Sequence, residues 1–317
     1  VSEKETTIFA KARLSLQALL KRQRTPTEKE AYTPTAEIAT MPLAEKKTHE
    51  IKVSLETSLE LPQLVAGCGQ SIGRQREHNE DAVFTLTTML ASDNTQIPFG
   101  LYIVADGMGG HQHGEIASGV AARAMASHII SRVYLPLFSL PAEPPTDSLQ
   151  EIMQEGILEA HRAILKHAPG GGTTLTAAIM IGNQMTIAHV GDSRAYTVHP
   201  DGFMQPLTRD HSLVKRLEEL GQITSEEAAI HPQRNVLYRA LGQGEPFEPD
   251  VGTFPLTHSG YLLICTDGLW GSVPEAKISE IILANPILEV ACQKLLDAAN
   301  EAGGPDNISA ILVKMPD

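Results

Sequence analysis

Four separated stretches of this 317-residue chain each place an acidic residue at the end of an apolar, β-rich run. They are Arg76-Glu77-His78-Asn79-Glu80-Asp81, Val104-Ala105-Asp106-Gly107-Met108-Gly109-Gly110, Cys265-Thr266-Asp267-Gly268 and Pro305-Asp306-Asn307. If Glu80, Asp106, Asp267 and Asp306 meet in one cleft, each carboxylate pair about 5 Å apart costs roughly 3 kcal/mol at an effective dielectric near 20. Too few Lys or Arg residues lie nearby in sequence to cancel that repulsion, so the pattern predicts bound cations. Oxygen ligands with no accompanying Cys or clustered His favour Mg2+ or Mn2+ over Zn2+. Such cations acidify a bound water and clamp phosphoryl oxygens.

The charge balance narrows the function further. With 25 Lys and Arg against 38 Asp and Glu, the net charge of −13 argues against a nucleic-acid footprint. The three cysteines, Cys68, Cys265 and Cys292, are odd in number, far apart and flanked by apolar residues. Neither a disulfide framework nor a zinc ribbon follows, and all three read as buried small hydrophobes in a reducing cytoplasm. No run approaches the roughly 18 apolar residues that a membrane span requires, and no signal-peptide pattern is present. The chain ends at Asp317, directly after the apolar run 308–313, and is expected to carry no membrane anchor downstream.

Two regions are expected. Residues 1–60 form an extension: Ile8, Ala12, Leu16, Leu19 and Leu20 keep helical spacing among Lys11, Arg13, Lys21 and Arg22, and a polar linker through Pro26, Pro34 and Pro42 follows. From residue 61 to 317 the composition is that of a packed domain. Strand-like runs lie at 64–67, 82–90, 99–105, 175–181, 185–190, 195–198, 261–265 and 308–313. Those at 99–105 and 261–265 are nearly all apolar, as strands covered on both faces must be.

Helical periodicity interrupts these runs. Ala117, Val120, Ala121, Ala124 and Met125 form one stripe; Leu149, Ile152, Met153, Gly156 and Ile157 form a second, opened by a Ser148-x-x-Glu151 capping box. A third helix begins at Asn285-Pro286 and stops at Gly303-Gly304. The segment 175–198 reads as paired strands with a turn at Gly182-Asn183, and Gly191-Asp192-Ser193-Arg194 reads by itself as an acidic hairpin tip. The expected fold is α+β: antiparallel sheets with helices packed outside. Gly170-Gly171-Gly172-Thr173-Thr174 lacks the Lys of a phosphate-binding loop and reads as a close strand entry.

Two local chemistries stand out. Asp106 leaves a buried strand and is followed by glycines that let backbone carbonyls approach a metal. Arg76, four residues before Glu80, is the basic group set closest to the acidic cluster, and a guanidinium grips phosphate in a bidentate fork.

Together these residues resemble the bacterial form of the protein phosphatase 2C family, the metal-dependent serine/threonine phosphatases. The resemblance rests on Arg76-x-x-Asn79-Glu80-Asp81, Asp106-Gly107-Met108-Gly109-Gly110-His111 with Gly114-Glu115, Gly172-Thr173-Thr174, Gly191-Asp192-Ser193-Arg194-Ala195-Tyr196, Thr208-x-Asp210-His211-Ser212, Arg239-Ala240-Leu241-Gly242, Thr266-Asp267-Gly268-Leu269-Trp270 and Asp306-Asn307. It implies a four-layer α-β-β-α sandwich with a metal cleft at one end. It also implies that Asp106 bridges two metals, that Asp267 and Asp306 complete the ligands of the first, and that Glu80 and the Gly107 carbonyl hold the second. Asp81 would belong to the metal site by orienting metal-bound water from behind, and Asp192 with Asp267 would take a weaker third ion. Arg76 would bind the substrate phosphoryl group.

The implied reaction is hydrolysis of phosphoserine and phosphothreonine in proteins by a water activated between two Mn2+ or Mg2+ ions, with no phosphoenzyme. The implied partners are phosphorylated proteins and a bacterial Ser/Thr kinase whose work the enzyme reverses, and the chain is expected to act as a monomer. Met108 departs from the eukaryotic pattern, in which a His follows the Asp-Gly pair as general acid. His111 and His113 read as loop-holding residues rather than as acids or zinc ligands. Segment 207–241 resembles the family's variable flap, and its Glu218-Glu219 and Glu226-Glu227 read as solvated helix surface. An ATP-binding module of the histidine-kinase type would want Asn79 on a helix and has no use for Asp192, Asp267 and Asp306. An inactive scaffold is disfavoured because every matching acidic position is filled, and partner-switching relatives usually lack the Arg found here at position 76.

Overall fold

A computed structural model describes residues 63–92, 95–109, 112–143, 145–244, 248–256 and 260–315. The expected extension 1–60, its amphipathic helix and its linker lie outside these residues, as does His111.

The strands in chain order are β1 (Val65–Ser71), β2 (Asp81–Ser92), β3 (Thr95–Met108), β4 (Gly172–Thr173), β5 (Leu175–Ile181), β6 (Gln184–Val190), β7 (Arg194–Val198), β8 (Met204–Pro206), β9 (Asp250–Pro255), β10 (Tyr261–Cys265) and β11 (Ile308–Lys314). One sheet has the order β1-β11-β10-β7-β8, the other β2-β3-β5-β6-β9 with β4 attached to β3. Every pairing between these strands is antiparallel. The helices are α1 (Gln112–Ile129), α2 (Leu149–His167), α3 (Leu213–Glu219), α4 (Ser225–Ala229), α5 (Asp267–Trp270), α6 (Glu275–Ala284) and α7 (Leu288–Glu301), with a π-helical turn at Ile130–Tyr134 and a single helical turn at Leu135–Leu137 after α1.

Strand alternation explains the layers. On β3, Phe99, Leu101 and Ile103 pack with Met125 and Ile129 of α1 and Ile152 and Ile157 of α2, whereas Tyr102 and Val104 face the opposite sheet. On β10, Leu263 and Cys265 face α6 and α7, whereas Leu262 and Ile264 join Tyr102 and Val104 between the sheets. Both strands are therefore buried on both faces, as their continuous apolar character requires. The order helices, sheet, sheet, helices is the expected α-β-β-α sandwich. The α2 capping box forms as its sequence dictates: Ser148 Oγ accepts from Glu151 N at 3.2 Å, and a Glu151 carboxylate oxygen accepts from Ser148 N at 2.9 Å.

Three expectations need correction. Strands β5 and β6 pair around Gly182 as read, but β6 does not continue into a pairing with β7; the two lie in different sheets. Gly191 to Arg194 is consequently the crossover between sheets rather than a hairpin tip. Its geometry depends on Gly191, whose φ of 113° belongs to the left-handed region and whose Cβ, were one present, would stand 2.5 Å from Thr174. Cys68 is exposed, because β1 is an edge strand that pairs only with β11; Cys265 and Cys292 are buried as expected. The third predicted helix begins at Leu288 rather than at Asn285-Pro286.

The sandwich collects its functional ends. Asp81 opens β2 directly opposite Asp106 near the end of β3, and Cys265 at the end of β10 lies opposite Arg194 at the start of β7. Truncation of Ile264, fully buried between the sheets, to Ala is expected to cost about 2–5 kcal/mol of stability. Ile230→Ala, at an 81% exposed position, is expected to stay within about 0.5 kcal/mol. Chemical denaturation checks this contrast, and equal losses at the two positions would contradict the layer assignment.

Candidate active site

Each acidic side chain reaches the cleft from a different connection. Glu80 ends the loop before β2, Asp106 lies near the end of β3, Asp192 sits in the crossover, Asp267 opens α5, and Asp306 precedes β11. With Arg76, Gly107, Met108, Thr174, Asn235 and Leu237 they line one cleft of about 270 Å3. Asp81 is the predicted site residue that does not line it; it stands behind, with Oδ2 accepting from Ser309 Oγ at 2.7 Å and Thr266 Oγ1 at 3.1 Å. Asn79 lies in a loop, which removes the ATP-binding alternative. His113 does not line the cleft either.

Electrostatics at this end are severe. Burial, then the charges of Asp81, Asp267, Asp192 and Asp306, push the Asp106 carboxyl well above the ordinary carboxylate range. Burial, then the charges of Asp267 and Asp210, raise Asp192 to about 8. Burial raises Asp81 to about 7, against the hydrogen bond from Ser309, and burial followed by Asp306 raises Asp267 to about 6. Arg76 is the cation at the rim: its Nη2 donates to Asp306 Oδ2 at 2.7 Å, and the side chain remains 49% exposed. Among the described residues, no three His, Cys, Asp or Glu side chains close on a single point. Asp306 is turned to Arg76 and Asp81 to Ser309 and Thr266, whereas the Asp106 and Asp267 side chains share a hydrogen bond.

Neutral hydrogen bonds hold the ring in place. Asp106 is gripped through its backbone: its N donates to Thr174 Oγ1 at 3.0 Å, and its O accepts from Thr173 Oγ1 at 2.7 Å and Thr174 N at 2.9 Å. Thr174 Oγ1 also contacts Ser193 Oγ at 2.8 Å, next to Asp192. Asn307 Nδ2 donates to the carbonyls of Ile72 and His78 at 2.8 Å each, while its Oδ1 accepts from Glu80 N at 2.8 Å. These bonds fix the irregular loop that carries Arg76 and Glu80. Gly107 is needed because a Cβ there would meet Gly114 O at 2.3 Å and Glu80 O at 2.5 Å.

Asn235 and Leu237 enter the cleft from the flap without any periodic signal in the sequence, and Thr174 and Asn307 line it as well. The Thr and Asn positions were visible beside the acidic residues, but what they bind depends on the fold.

The comparisons with known proteins agree with this geometry. The family model described as Protein phosphatase 2C matches residues 66–308. The chain belongs to the protein phosphatase 2C family. It is similar to the serine/threonine phosphatase stp of Listeria innocua, at 40% identity over 250 residues covering 76% of this chain and 92% of that one. The protein phosphatase PhpP of Streptococcus pneumoniae is 36% identical over 247 residues, covering 77% of this chain and 94% of that one. Among solved structures, the catalytic domain of the phosphatase PstP in complex with two manganese ions gives a TM-score of 0.65 at 30% identity, covering 80% of this chain and 99% of that one. The serine/threonine phosphatase PstP/Ppp of Mycobacterium tuberculosis gives 0.67 at 31%, covering 80% and 100%. The chain is a protein serine/threonine phosphatase, a phosphoric monoester hydrolase, of the metal-dependent kind. No helix among the described residues is long and apolar enough to cross a membrane.

The residues of the cleft fit hard divalent cations. Asp267 Oδ1 in the cleft and Asp81 Oδ1 behind it are buried without a hydrogen-bond partner, and the polar side chains lining the cleft offer carboxylate, amide and hydroxyl oxygens with no thiol or imidazole among them. A pH dependence follows for the metal-free chain. Asp81, Asp106, Asp192 and Asp267 bind protons more tightly folded than unfolded, where an Asp titrates near about 3.9. The folded state therefore carries the excess protons, and stability falls as pH rises from about 4 to about 8. Urea midpoints of the chelated protein at pH 5 and pH 8 check this; a higher midpoint at pH 8 would contradict it, and Asp106→Asn is expected to flatten the slope.

Proposed function

We propose that the chain hydrolyses phosphoserine and phosphothreonine in proteins with two Mn2+ or Mg2+ ions at this cleft, and that it reverses the action of a Ser/Thr kinase. The observation that carries the reading is the meeting of Glu80, Asp106, Asp192, Asp267 and Asp306, from five separate connections, with Arg76 at the rim of one cleft. Such concentrated negative charge repels a phosphoryl group on its own, so a phosphatase reading requires divalent cations beside it. Asp106, on which the carboxylates of Asp81, Asp267, Asp192 and Asp306 all act, would be shared between two ions; Asp267 and Asp306 would help to hold one, and Glu80 with the Gly107 carbonyl the other. Asp192 with Asp267 would hold a weaker third ion. Asp81 acts from behind as an acceptor toward water at the site, oriented by Ser309 and Thr266.

When bound, the cations supply a water activated for in-line attack and balance the charge on the phosphoryl oxygens. Arg76 supplies the remaining cationic contact. One of its guanidinium nitrogens engages Asp306, and its half-exposed position lets the group swing to the phosphoryl oxygens of an incoming substrate. Met108 lines the cleft where eukaryotic relatives carry a His, so no side chain at that place donates a proton to the leaving oxygen. Residues 61–317 form the catalytic domain and 1–60 an extension with a linker, a division supported by the family match over 66–308. The chain acts as a monomer in the cytoplasm.

The test is a Mn2+-titrated phosphopeptide assay. Asp106→Asn is expected to lower kcat by about 10²–10³-fold or more while the fold persists. Arg76→Ala is expected to act mainly on KM, raising it by about 10- to 100-fold, the worth of a charged hydrogen bond of about 1.5–3 kcal/mol. Full turnover by Asp106→Asn, or an unchanged KM in Arg76→Ala, would refute the respective assignment.

A further inference from the structure

Asp192 and Asp267 face the same cleft, the first from the crossover between the sheets and the second from the first turn of α5, so their separation depends on how the crossover is held against α5. We infer that Trp270 is a positioning residue that fixes Asp192 relative to Asp267. The inference rests on the proposed reading of these two carboxylates as a weaker cation position.

The geometry is specific. Trp270 closes the same helical turn that Asp267 opens, and Gly271 N donating to Asp267 O at 2.8 Å locks that turn. The indole is thereby fixed relative to the Asp267 backbone. Its Nε1 donates to the backbone carbonyl of Asp192 at 3.0 Å. Its ring lies beneath Arg194, with the guanidinium carbon 3.5 Å from a ring centroid. Arg194 is itself immobilised: Nε and Nη2 donate to Asp210 at 2.9 and 2.7 Å, and Nη1 donates to Tyr196 Oη at 3.0 Å. The crossover residues 192 and 194 are thus pinned to one indole, the first by a hydrogen bond and the second by stacking. Other bonds tie the crossover to β5 and to His211, but the indole donor joins the Asp192 backbone directly to the turn that carries Asp267, and outer partners of metal ligands tune affinity in this way.

Trp270 is the only tryptophan of the chain, so its emission reports this position without labelling. Mn2+ is titrated into the full chain while tryptophan emission and phosphopeptide turnover are followed; calorimetry on the same chain gives the stoichiometry. In the wild type a weaker Mn2+ phase, following the tight ones, is expected to quench the emission, and Asp192→Asn is expected to remove that phase. Trp270→Phe keeps a ring beneath Arg194 and deletes the donor to Asp192. It is expected to move the weaker phase to about tenfold higher Mn2+ while tight binding stays within about twofold, a separation that general destabilisation does not produce. A weaker phase at the wild-type concentration in Trp270→Phe overturns the inference and leaves the reading of Asp192 intact. A weaker phase that is missing from the wild type, or that survives Asp192→Asn, overturns that reading and the inference with it. Should Trp270→Phe fail to fold, wild-type emission decides: no quenching in the weaker phase rejects the positioning role.

Discussion

The repulsion among carboxylates buried at one end of a β-sandwich governs this molecule. Asp81 and Asp192 are buried and Asp106 and Asp267 partly so, and burial together with neighbouring carboxylates raises the proton affinity of all four. A pair of such charges about 5 Å apart costs roughly 3 kcal/mol even at an effective dielectric near 20. A fold optimised for stability alone would place apolar side chains there. The arrangement is sustained because the sheets on either side are dry and well packed, with fully buried Tyr102, Val104, Leu262 and Ile264 between them. The local cost is a functional feature held by the rest of the structure.

How that cost is held is visible in the hydrogen bonds around the cleft. Thr173 and Thr174 grip both sides of the Asp106 peptide, and Asn307 ties the loop of Arg76 and Glu80 to the loop of Asp306. These partners are uncharged, so they fix geometry without neutralising the carboxylates. A neutralising Lys at such positions would compete with the cations for the same oxygens. Arg76 is the one cation lining the cleft among the described residues, and its exposure at the rim lets it serve substrate rather than stability.

Much of this was legible in the sequence because the relevant signals are local. Alternation and apolar runs marked β2, β3, β5, β6, β10 and β11, and the Ser148-Glu151 box marked the start of α2. Acidic residues next to glycines at strand ends announced the cleft before the strands were assembled. Elements set by tertiary contact were not legible: β8 and β9 are short or edge strands without strong alternation, and α3 and α4 are too brief for a periodic stripe. The crossover at Gly191 illustrates the limit. Its residues look like a hairpin tip, and only the burial of both flanking strands in different sheets makes them a bridge. Cys68 failed as a buried residue for a related reason, since its neighbours do not reveal that β1 is an edge.

The central claim is that the buried carboxylates keep protons until divalent cations replace them. The measurement that tests it most directly is the number of protons released when Mn2+ binds the metal-free chain at pH 6.5, obtained by calorimetry in buffers of different ionisation enthalpy. The account predicts release of about one to two protons per chain, with less in Asp106→Asn. Binding of Mn2+ with no proton release would show that the carboxylates were already ionised, and would contradict it.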